Sequence, residues 1–252
     1  MLRRTRADVG RELPPLQKFH ITIGADNSAL NLVSDRCAEL ARLILRGQDV
    51  NRGDTMRASE EMSNILRQAT GIAKAPYVAD FVKILIENGE KVLLYGWHRL
   101  VYEVWLDQLK EFNPVMMTGS ESAAAKQQSK EKFISGESQV LIMSLRAGAG
   151  IDGLQYCGCK TIVFGELDWA PGVHEQAIGR VNRDGQPDPV CAYFLVAETG
   201  SDPVMVDVLG IKKGQIEGVR NHDSPLFEKI EQDPDHIKKL ARAYLGQNTG
   251  GK

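Results

Sequence analysis

The sequence predicts an α/β fold, a doubly wound and mostly parallel sheet flanked by helices. From residue 76 onward, short and continuously apolar runs alternate with segments of helical periodicity. Runs of this kind are typical of strands buried on both faces, and strands that alternate with helices are joined by right-handed crossovers into a parallel sheet. The predicted strands are KVLLYG, PVMMT, QVLIMS, TIVFGE and VCAYFLVA.

The helices between these strands carry boundary signals of their own. Pro76 opens the stretch PYVADFVKILIEN and suits a first helical turn, and Gly89 suits the cap that follows it. Further helices are predicted over residues 98–112, 122–134 and 172–183, and helical segments continue to the end of the chain.

Residues 28–75 have a different pattern, with two amphipathic stripes separated by the polar stretch RGQDVNRGD. Each stripe repeats at the spacing of one helical face, so the segment predicts a helical hairpin packed beside the sheet. The α/β unit then covers residues 76–220, and residues 221–252 form a C-terminal helical tail. The stripes contain Leu30, Val33, Cys37, Leu40, Ala41 and Ile44, and Met62, Ile65, Leu66 and Ala69.

The composition is that of an ordinary globular chain and limits how it can meet nucleic acid. Of the 252 residues, 42% are hydrophobic and 25% are charged, and the formal net charge is -2. This balance excludes a uniformly basic surface, so any DNA contact must come from a local patch. Four scattered cysteines predict reduced thiols and no metal site. Without a membrane-length apolar run or a signal peptide, we expect an intracellular protein with no membrane contact, in the cytoplasm or nucleoid, or in a eukaryotic nucleus.

The segment HEQAIGRVNRDGQ contains the most informative side chains of the chain. Gln176, Arg180 and Arg183 lie at i, i+4 and i+7, which places them on one face of the predicted helix. A fixed fork of guanidinium groups on such a face suits recognition of a polyphosphate. The alternative is that the two arginines belong to an ordinary solvated helix face.

QAIGRVNRDGQ resembles motif VI of the Swi/Snf-type, superfamily 2 DNA-dependent ATPases, whose pattern is Q-A-x-x-R-x-H-R-x-G-Q. It departs from that pattern at Asn182, where the family usually has histidine. MLRRTRADVGRELPP is similar to the family's linker between two lobes, SLRAGAGIDGLQ to motif V, and FGELDWAPG to the loop before motif VI, most of all in the annealing-helicase branch. The resemblance identifies the α/β unit as a second, C-terminal RecA-like lobe and residues 1–27 as the linker that leads into it.

The resemblance implies that the motif VI arginines reach across a cleft to ATP. Arg180 and Arg183 are the candidate catalytic residues, one of them as an arginine finger on the transferring phosphoryl group. Gln176, Gly150 and Asp152 are the candidate nucleotide-binding residues. Motif V departs from the family string R-A-G-G-x-G-L-N-L, since this chain has R-A-G-A-G-I-D-G-L. Asp152 in this string is closer to the acid that meets the ATP ribose in other superfamily 2 helicases. Whether this segment contacts the ribose or has the coupling role of the Swi/Snf motif stays open.

The resemblance also implies contact with the backbone of double-stranded DNA. Motif V couples DNA to the nucleotide site in this family, and MMTGSES resembles a T-G-S turn whose amides and hydroxyls suit a phosphate. Trp169 matches a family tryptophan near the DNA. The alternatives are an ordinary helix cap for the turn and a packing role for the tryptophan. The candidate DNA-binding residues are Thr118, Gly119, Ser120, Ser144, Arg146 and Trp169.

A complete ATPase also needs a phosphate-binding loop, G-x-x-x-x-G-K-[ST], and a D-E-x-[HD] metal-binding motif. The sequence contains neither in the expected setting. The resemblance therefore implies that ATP and Mg2+ are held mainly by a first RecA-like lobe, in the same parent chain or in a separate protein. We expect this chain alone not to hydrolyse ATP. The alternative is a degenerate, non-catalytic lobe that binds DNA or protein, and the intact arginine pair argues against it.

A dinucleotide-binding fold is a competing interpretation of the glycines after the strand QVLIMS. Gly148, Gly150 and Gly153 form G-x-G-x-x-G, and Glu166 follows at the end of the next strand. Only seven residues, LQYCGCK, separate the last glycine from that strand. A parallel crossover with its helix needs about ten to twelve residues, so the spacing excludes this fold.

Overall fold

One six-stranded sheet forms the centre of the molecule, and all of its strands are parallel. The computed structural model describes residues 13–46, 52–146, 152–210 and 236–249. The strands are β1 (Leu16–Ile23), β2 (Val92–Gly96), β3 (Val115–Met117), β4 (Val140–Ser144), β5 (Thr161–Phe164) and β6 (Val190–Ala197). Their order, β1-β6-β5-β2-β4-β3, confirms the predicted doubly wound α/β sheet.

Helices cover both faces of this sheet. They are α1 (Ser28–Leu32), α2 (Ser34–Leu45), α3 (Arg52–Glu87), α4 (Arg99–Gln108), α5 (Ala123–Ser135), α6 (Pro171–Ile178), α7 (Asp202–Leu209) and α8 (His236–Thr249). The helices α3 and α4 pack on the face that includes Leu94, and α5, α6 and α7 pack on the face that includes Leu93 and Tyr95. In the part of the chain that the structure describes, no helix combines the length and hydrophobicity that crossing a membrane requires.

The edge strand β1 differs from the sequence interpretation, which assigned residues 1–27 to a linker. Residues 16–23 pair in parallel with β6 along their whole length, and the Phe19 and Tyr193 rings stack with centroids 5.1 Å apart. Most β1 side chains are only partly buried, because the strand has a neighbour on one side. An edge strand retains polar residues, so QKFHITI lacks the continuous apolar run that predicted the inner strands.

Helix α3 continues past Pro76, where the sequence predicted the start of a helix and a boundary between residues 75 and 76. Proline has no backbone N–H and removes one hydrogen bond from the helical ladder. The nearby Ala73 carbonyl accepts a hydrogen bond from the Asp26 amide at 2.8 Å. The loop after β1 thus donates a hydrogen bond to the helix backbone near the proline. The predicted hairpin and the predicted α/β unit share the long helix α3.

The predicted helical hairpin is present as α2 packed against the first half of α3. The helix α8, within the predicted C-terminal tail, packs on the same apolar cluster, and the Tyr244 hydroxyl donates to the Ser34 carbonyl at 3.1 Å. Residues 221–235 of that tail lie outside the described residues. The buried cluster contains Cys37, Leu40, Ala41, Ile44, Ala58, Met62, Leu66, Leu240 and Ala241.

A buried ion pair joins α3 to the ends of β6 and α7. Lys74 Nζ lies 2.6 Å from Asp202 Oδ2 and also donates to the Leu195 carbonyl at 2.8 Å. The same carboxylate oxygen accepts from the Ala197 amide at 2.9 Å. Neither side chain is more than 4% exposed. Loss of one partner therefore leaves the other charge buried and uncompensated.

The substitution Lys74→Met is expected to lower the free energy of unfolding by about 3–5 kcal/mol, because Asp202 stays buried without its counter-charge. Lys83→Met is the matched control on the same helix, since Lys83 lies 3.7 Å from an exposed Asp80. Exposed pairs contribute about 0–1 kcal/mol. Chemical denaturation measures both losses, and equal losses in the two variants contradict the role assigned to Lys74.

Candidate nucleotide and DNA interface

The polar side chains identified from the sequence gather at the carboxyl edge of the sheet. Parallel strands end at a common edge, and open α/β sheets bind ligands in the crevice outside it. Loops after β2, β3, β4 and β5 all contribute to this edge, and the segment after α6 lies beside them. The edge presents two polar regions, an arginine turn after α6 and a groove beside α4.

The two arginines do not share one helical face, as the sequence predicted, but lie in a tight turn that follows α6. The helix ends at Ile178. The Asn182 amide then donates to the Ile178 carbonyl at 2.9 Å, and the Arg183 amide donates to the Val181 carbonyl at 3.0 Å. Gly185 continues the turn with a φ of 88°, which suits a glycine. Helical periodicity persists in the sequence beyond the last helical residue, and the predicted helix was therefore too long.

Arg183 projects from this turn into an ion pair with Asp152, the acid of motif V. Its Nη1 lies 2.9 Å from Asp152 Oδ1, and the two side chains are 41% and 76% exposed. A contact this exposed contributes about 0–1 kcal/mol. The structure thus brings two predicted nucleotide-site residues together in a pair that opens at little cost. The motif V glycines Gly148 and Gly150 lie outside the described residues.

Gln176 and Arg180 occupy different environments at the same edge. Gln176 is exposed on α6, whereas Arg180 is half-buried just beyond the helix end. Burial raises the pKa of the Tyr95 hydroxyl above its usual range, and the positive charge of Arg180 opposes that shift. Arg180 therefore lies near the Tyr95 hydroxyl.

Hydrogen bonds from Gln186 hold the arginine turn to the sheet. Its Nε2 donates to the Cys159 carbonyl at 2.9 Å, and its Oε1 accepts from the Asp188 amide at 3.2 Å. The Tyr156 ring packs on the turn as well, because a Cβ on Gly185 would lie 2.5 Å from it. The glycine and glutamine that match motif VI thus shape the turn that presents the arginines.

Arg146 forms a bidentate ion pair with Asp168 in the loop after β5. The Nε–Oδ2 and Nη2–Oδ1 distances are 2.8 and 3.0 Å, and the Asp168 side chain is 1% exposed. Although burial opposes its ionisation, hydrogen bonds from Arg146 and from the Ala170 amide hold the pKa of Asp168 below its usual value. The guanidinium also lies 5.8 Å from the Trp97 ring centroid. Two nitrogens of Arg146 are therefore engaged within the protein, and its DNA contact stays a prediction.

Glu166 organises the loop after β2, a role that sequence reasoning missed. One carboxylate oxygen accepts from the Trp97 and His98 amides at 2.7 and 2.9 Å, and the other lies 2.5 Å from His98 Nδ1. The neighbouring Leu167 carbonyl accepts from Arg67 Nη2 at 2.8 Å. A single glutamate after a strand gives no sequence signal of these contacts, because its amide partners lie 68 and 69 residues away.

His174 is a buried base beneath this loop. Its Nε2 accepts a hydrogen bond from the Asp168 amide at 3.2 Å, so the neutral ring carries its proton on Nδ1. The ring meets the Phe164 ring edge-on at a centroid distance of 5.0 Å. Burial lowers the pKa of His174 to about 4. The neutral ring thus positions the backbone of Asp168, which in turn holds Arg146.

The predicted T-G-S turn is distinct from the cap of the helix that follows it. Ser122 caps α5, because its hydroxyl accepts a hydrogen bond from the Ala125 amide at 3.2 Å. The Thr118 and Ser120 hydroxyls lie 3.1 Å apart, and both donate to the Glu121 carboxylate. The helix-cap alternative therefore does not account for Thr118 and Ser120, which bind an anionic group instead.

The same turn forms one wall of a groove of about 580 Å³ beside α4. Ser144, at the end of β4, lies in the groove with its side chain largely buried. Gly119 is exposed, and a Cβ added to it would meet nothing within 4 Å. The groove brings four of the predicted DNA-binding residues together. Its lining residues include Trp97, Tyr102, Leu106, Met116, Thr118, Gly119, Ser120, Glu121 and Ser144.

Trp169 lies away from this groove and packs within the protein. Its Nε1 donates to Ser63 Oγ at 3.1 Å, and its ring centroid lies 4.8 Å from that of His236. The side chain thus joins the loop after β5 to α3 and α8. This geometry favours the packing alternative for the tryptophan over a DNA contact.

Comparison with known proteins matches residues 74–185 to the family described as the helicase conserved C-terminal domain. The SWI/SNF-related matrix-associated actin-dependent regulator of chromatin subfamily A-like protein 1 of Xenopus tropicalis is 27% identical over 244 residues, which are 95% of this chain and 25% of that protein. The DNA annealing helicase and endonuclease ZRANB3 of Homo sapiens is 26% identical over 222 residues, 86% of this chain and 20% of that protein. The chain thus spans a quarter or less of the length of these relatives.

Solved structures share the fold at lower identity. The C-terminal part of the Fun30 ATPase domain aligns with a TM-score of 0.67 at 12% identity, covering 94% of this chain and 99% of that one. The SWI2/SNF2 ATPase core of Sulfolobus solfataricus in complex with dsDNA aligns with a TM-score of 0.64 at 18% identity, covering 97% of this chain and 52% of that one. These similarities confirm the RecA-like α/β fold that the sequence predicted.

The buried His174 is expected to make folding depend on pH. Its pKa is about 4 in the folded chain and about 6.5 when exposed, so between these values the unfolded state binds the extra proton. The free energy of unfolding should therefore fall as pH drops from about 6.5 to about 4, by at most ~1.4 kcal/mol per pH unit from this group. His174→Gln, which keeps an acceptor for the Asp168 amide, should remove this part of the dependence. Urea denaturation across the pH range measures the free energy of unfolding of the variant and of the wild type. If the two free energies change with pH in parallel, His174 does not contribute to the pH dependence.

Proposed function

We propose that the chain, which is similar to the helicase conserved C-terminal domain over residues 74–185 and to a SWI/SNF-related protein along most of its length, is the second lobe of a DNA-dependent ATPase and translocase. In this role Arg183 and Arg180 meet ATP that a first RecA-like lobe holds together with Mg2+. The observation that carries the proposal is the Arg183 guanidinium at the carboxyl edge of the sheet. It is 41% exposed and paired only with the still more exposed Asp152 among the contacts of the described residues.

The Arg183–Asp152 pair is suited to exchange one anion for another. Both side chains are accessible, so their contact contributes about 0–1 kcal/mol and does not trap the arginine. Hydrogen bonds between a guanidinium and a phosphate are charge-assisted and often bidentate, and a triphosphate carries several negative charges against the single charge of a carboxylate. Arg183 is therefore expected to leave Asp152 for the phosphates. Asp152 then stays at the same edge as an acceptor for ribose hydroxyls.

Arg180 and Gln176 complete the proposed nucleotide contacts. Arg180 lies near the Tyr95 hydroxyl and has a buried Nη1 atom, so it suits a fixed contact with the phosphates. Gln176 lies exposed one turn earlier and offers an amide. Charge that develops on the transferring phosphoryl group is stabilised most by donors already in place, so a fixed and a mobile arginine have complementary roles.

The groove beside α4 supplies donors for the DNA backbone in this proposal. Thr118, Ser120 and Ser144 are neutral hydroxyl donors, which agrees with a chain whose net charge is -2. A few phosphate contacts predict weak, salt-sensitive binding. The Sulfolobus solfataricus structure holds dsDNA, and the named relatives are a regulator of chromatin and an annealing helicase. These descriptions support double-stranded DNA as the partner and a place of action on the DNA inside the cell.

Arg183→Ala, tested with a cognate first lobe, is expected to reduce DNA-stimulated phosphate release by about three to five orders of magnitude. ATP and DNA binding should change little, because an arginine finger acts on charge that develops in the transition state. Arg183→Lys should restore little, because an ammonium group lacks the planar fork. The wild-type chain without the first lobe should release no phosphate above background.

Arg36→Ala is the matched control for this experiment. Arg36 is 47% exposed and ion-paired with Glu39 and Glu61 in the hairpin, so the variant removes a similar guanidinium away from the site. It should retain wild-type turnover. Wild-type turnover in the Arg183→Ala enzyme would overturn the site assignment and favour a non-catalytic lobe.

Gly119→Ala is expected to weaken DNA binding without harming the fold. A Cβ at Gly119 meets nothing within the described residues, so the unfolding free energy should stay unchanged or rise slightly. A DNA backbone that approaches the turn would meet the added methyl group, and each lost phosphate contact lowers the slope of log affinity against log salt by about one. Gly246→Ala in α8, where a Cβ is equally unhindered, is the control. Fluorescence anisotropy at several salt concentrations measures the affinity of each variant for DNA. Identical affinities for the two variants argue against a DNA contact at this turn.

A further inference from the structure

The Glu121 carboxylate already occupies the donors proposed for a DNA phosphate. Its Oε2 accepts from the Thr118 amide at 2.6 Å, and its Oε1 accepts from the Thr118 hydroxyl at 2.7 Å and from the Ser120 hydroxyl at 3.1 Å. Three donors therefore converge on one anionic group. Hydrogen bonds to an ionised acceptor are the strong ones, so this turn is built to hold an anion.

A second observation places a ligand site next to this turn. Tyr102 lines the same groove and is 5% exposed, and its buried hydroxyl, which lies near the Ser144 side chain, makes no hydrogen bond of 3.5 Å or less within the described ranges. Ser144 lines the groove on the same side. A buried hydroxyl without a partner is costly unless a ligand or water satisfies it. The groove thus contains the Tyr102 hydroxyl as a further donor, beside the three donors that bind the Glu121 carboxylate.

A carboxylate and a phosphodiester cannot share these donors. Each Glu121 oxygen fills the position that a phosphate oxygen would take, and two anions at contact distance repel each other. Glu121 is only partly buried, while Gly119 and Ser120 are exposed. Its side chain therefore has room to rotate into solvent when another anion takes the donors.

We propose that Glu121 is a built-in competitor for the DNA phosphate at the Thr118–Ser120 turn. Its carboxylate occupies the donors in the absence of DNA and leaves them when a phosphodiester binds, with Tyr102 and Ser144 as further contacts in the groove. The competitor keeps the resting affinity for DNA low, which suits a lobe that must release and rebind the backbone. The inference rests on the DNA contact of the proposed function.

The test compares Glu121→Gln and Glu121→Ala with Glu131→Gln. Glu131 is an exposed acid on α5 whose carboxylate accepts from Gln127 at 2.8 Å, so its variant removes the same charge outside the groove. The affinity of the full chain for a DNA duplex is measured by fluorescence anisotropy. Both Glu121 variants are expected to bind more tightly by on the order of tenfold, because one unit of repulsion at a partly buried contact is removed. Glu131→Gln should bind as the wild type does.

A second measurement follows the Thr118 amide by NMR while inorganic phosphate is added to each chain. The amide should shift in the Glu121 variants and stay unchanged in the wild type. A shift that occurs only in the Glu121 variants shows that Glu121 competes with phosphate for the Thr118 amide. If none of the chains binds DNA, the proposed DNA contact fails, while the anion site at this turn is retained. Equal tightening by Glu121→Gln and Glu131→Gln overturns the inference. The inference is also overturned if the Thr118 amide signal does not shift on addition of phosphate to the Glu121 variants. Thermal unfolding verifies that these variants are folded.

Discussion

Complete burial of the central strand β2 is the constraint on which the rest of the structure depends. All five of its residues are buried, so β4 and β5 must flank it and helices must cover both faces of the sheet. In a parallel sheet this arrangement sends the loops after the strands to one common edge. The functional side chains meet at that edge because hydrophobic burial directs the chain there, with no need for attraction between the polar groups themselves.

The ion pairs at this edge differ in burial, and that difference separates supporting residues from those proposed to function. Asp168 and Asp202 are buried, and their basic partners are fixed because separation leaves a buried charge unpaired. The pair of Arg183 with Asp152 is exposed and weak. The burial of Asp168 thus holds Arg146 in its pair, so the predicted DNA contact of Arg146 has to form without loss of that pair, whereas Arg183 can leave the exposed Asp152.

The parts of the structure that follow from local patterns could be predicted from the sequence. The strands β2, β4 and β6 lie where continuous apolar runs occur, because burial on both faces demands such runs. The edge strand β1 was missed because it is half-buried, and α6 was drawn too long because helical periodicity continues into the turn. The role of Glu166 could not be predicted, since its amide partners lie 68 and 69 residues away in the sequence. Glu121 and His174 have nearby partners, but the turn that holds Glu121 and the burial of His174 are defined only by the folded chain.

The central claim is that Arg183 leaves Asp152 for the phosphoryl group as the reaction proceeds. The most direct test is the NMR signal of the Arg183 Nε–Hε group in the chain bound to a cognate first lobe and DNA. We predict that ADP with aluminium fluoride, which mimics the transferring phosphoryl group, shifts and sharpens this signal, and that ADP alone leaves it as in the free chain. A signal that stays unchanged with the transition-state mimic, in a complex shown to bind it, contradicts the account.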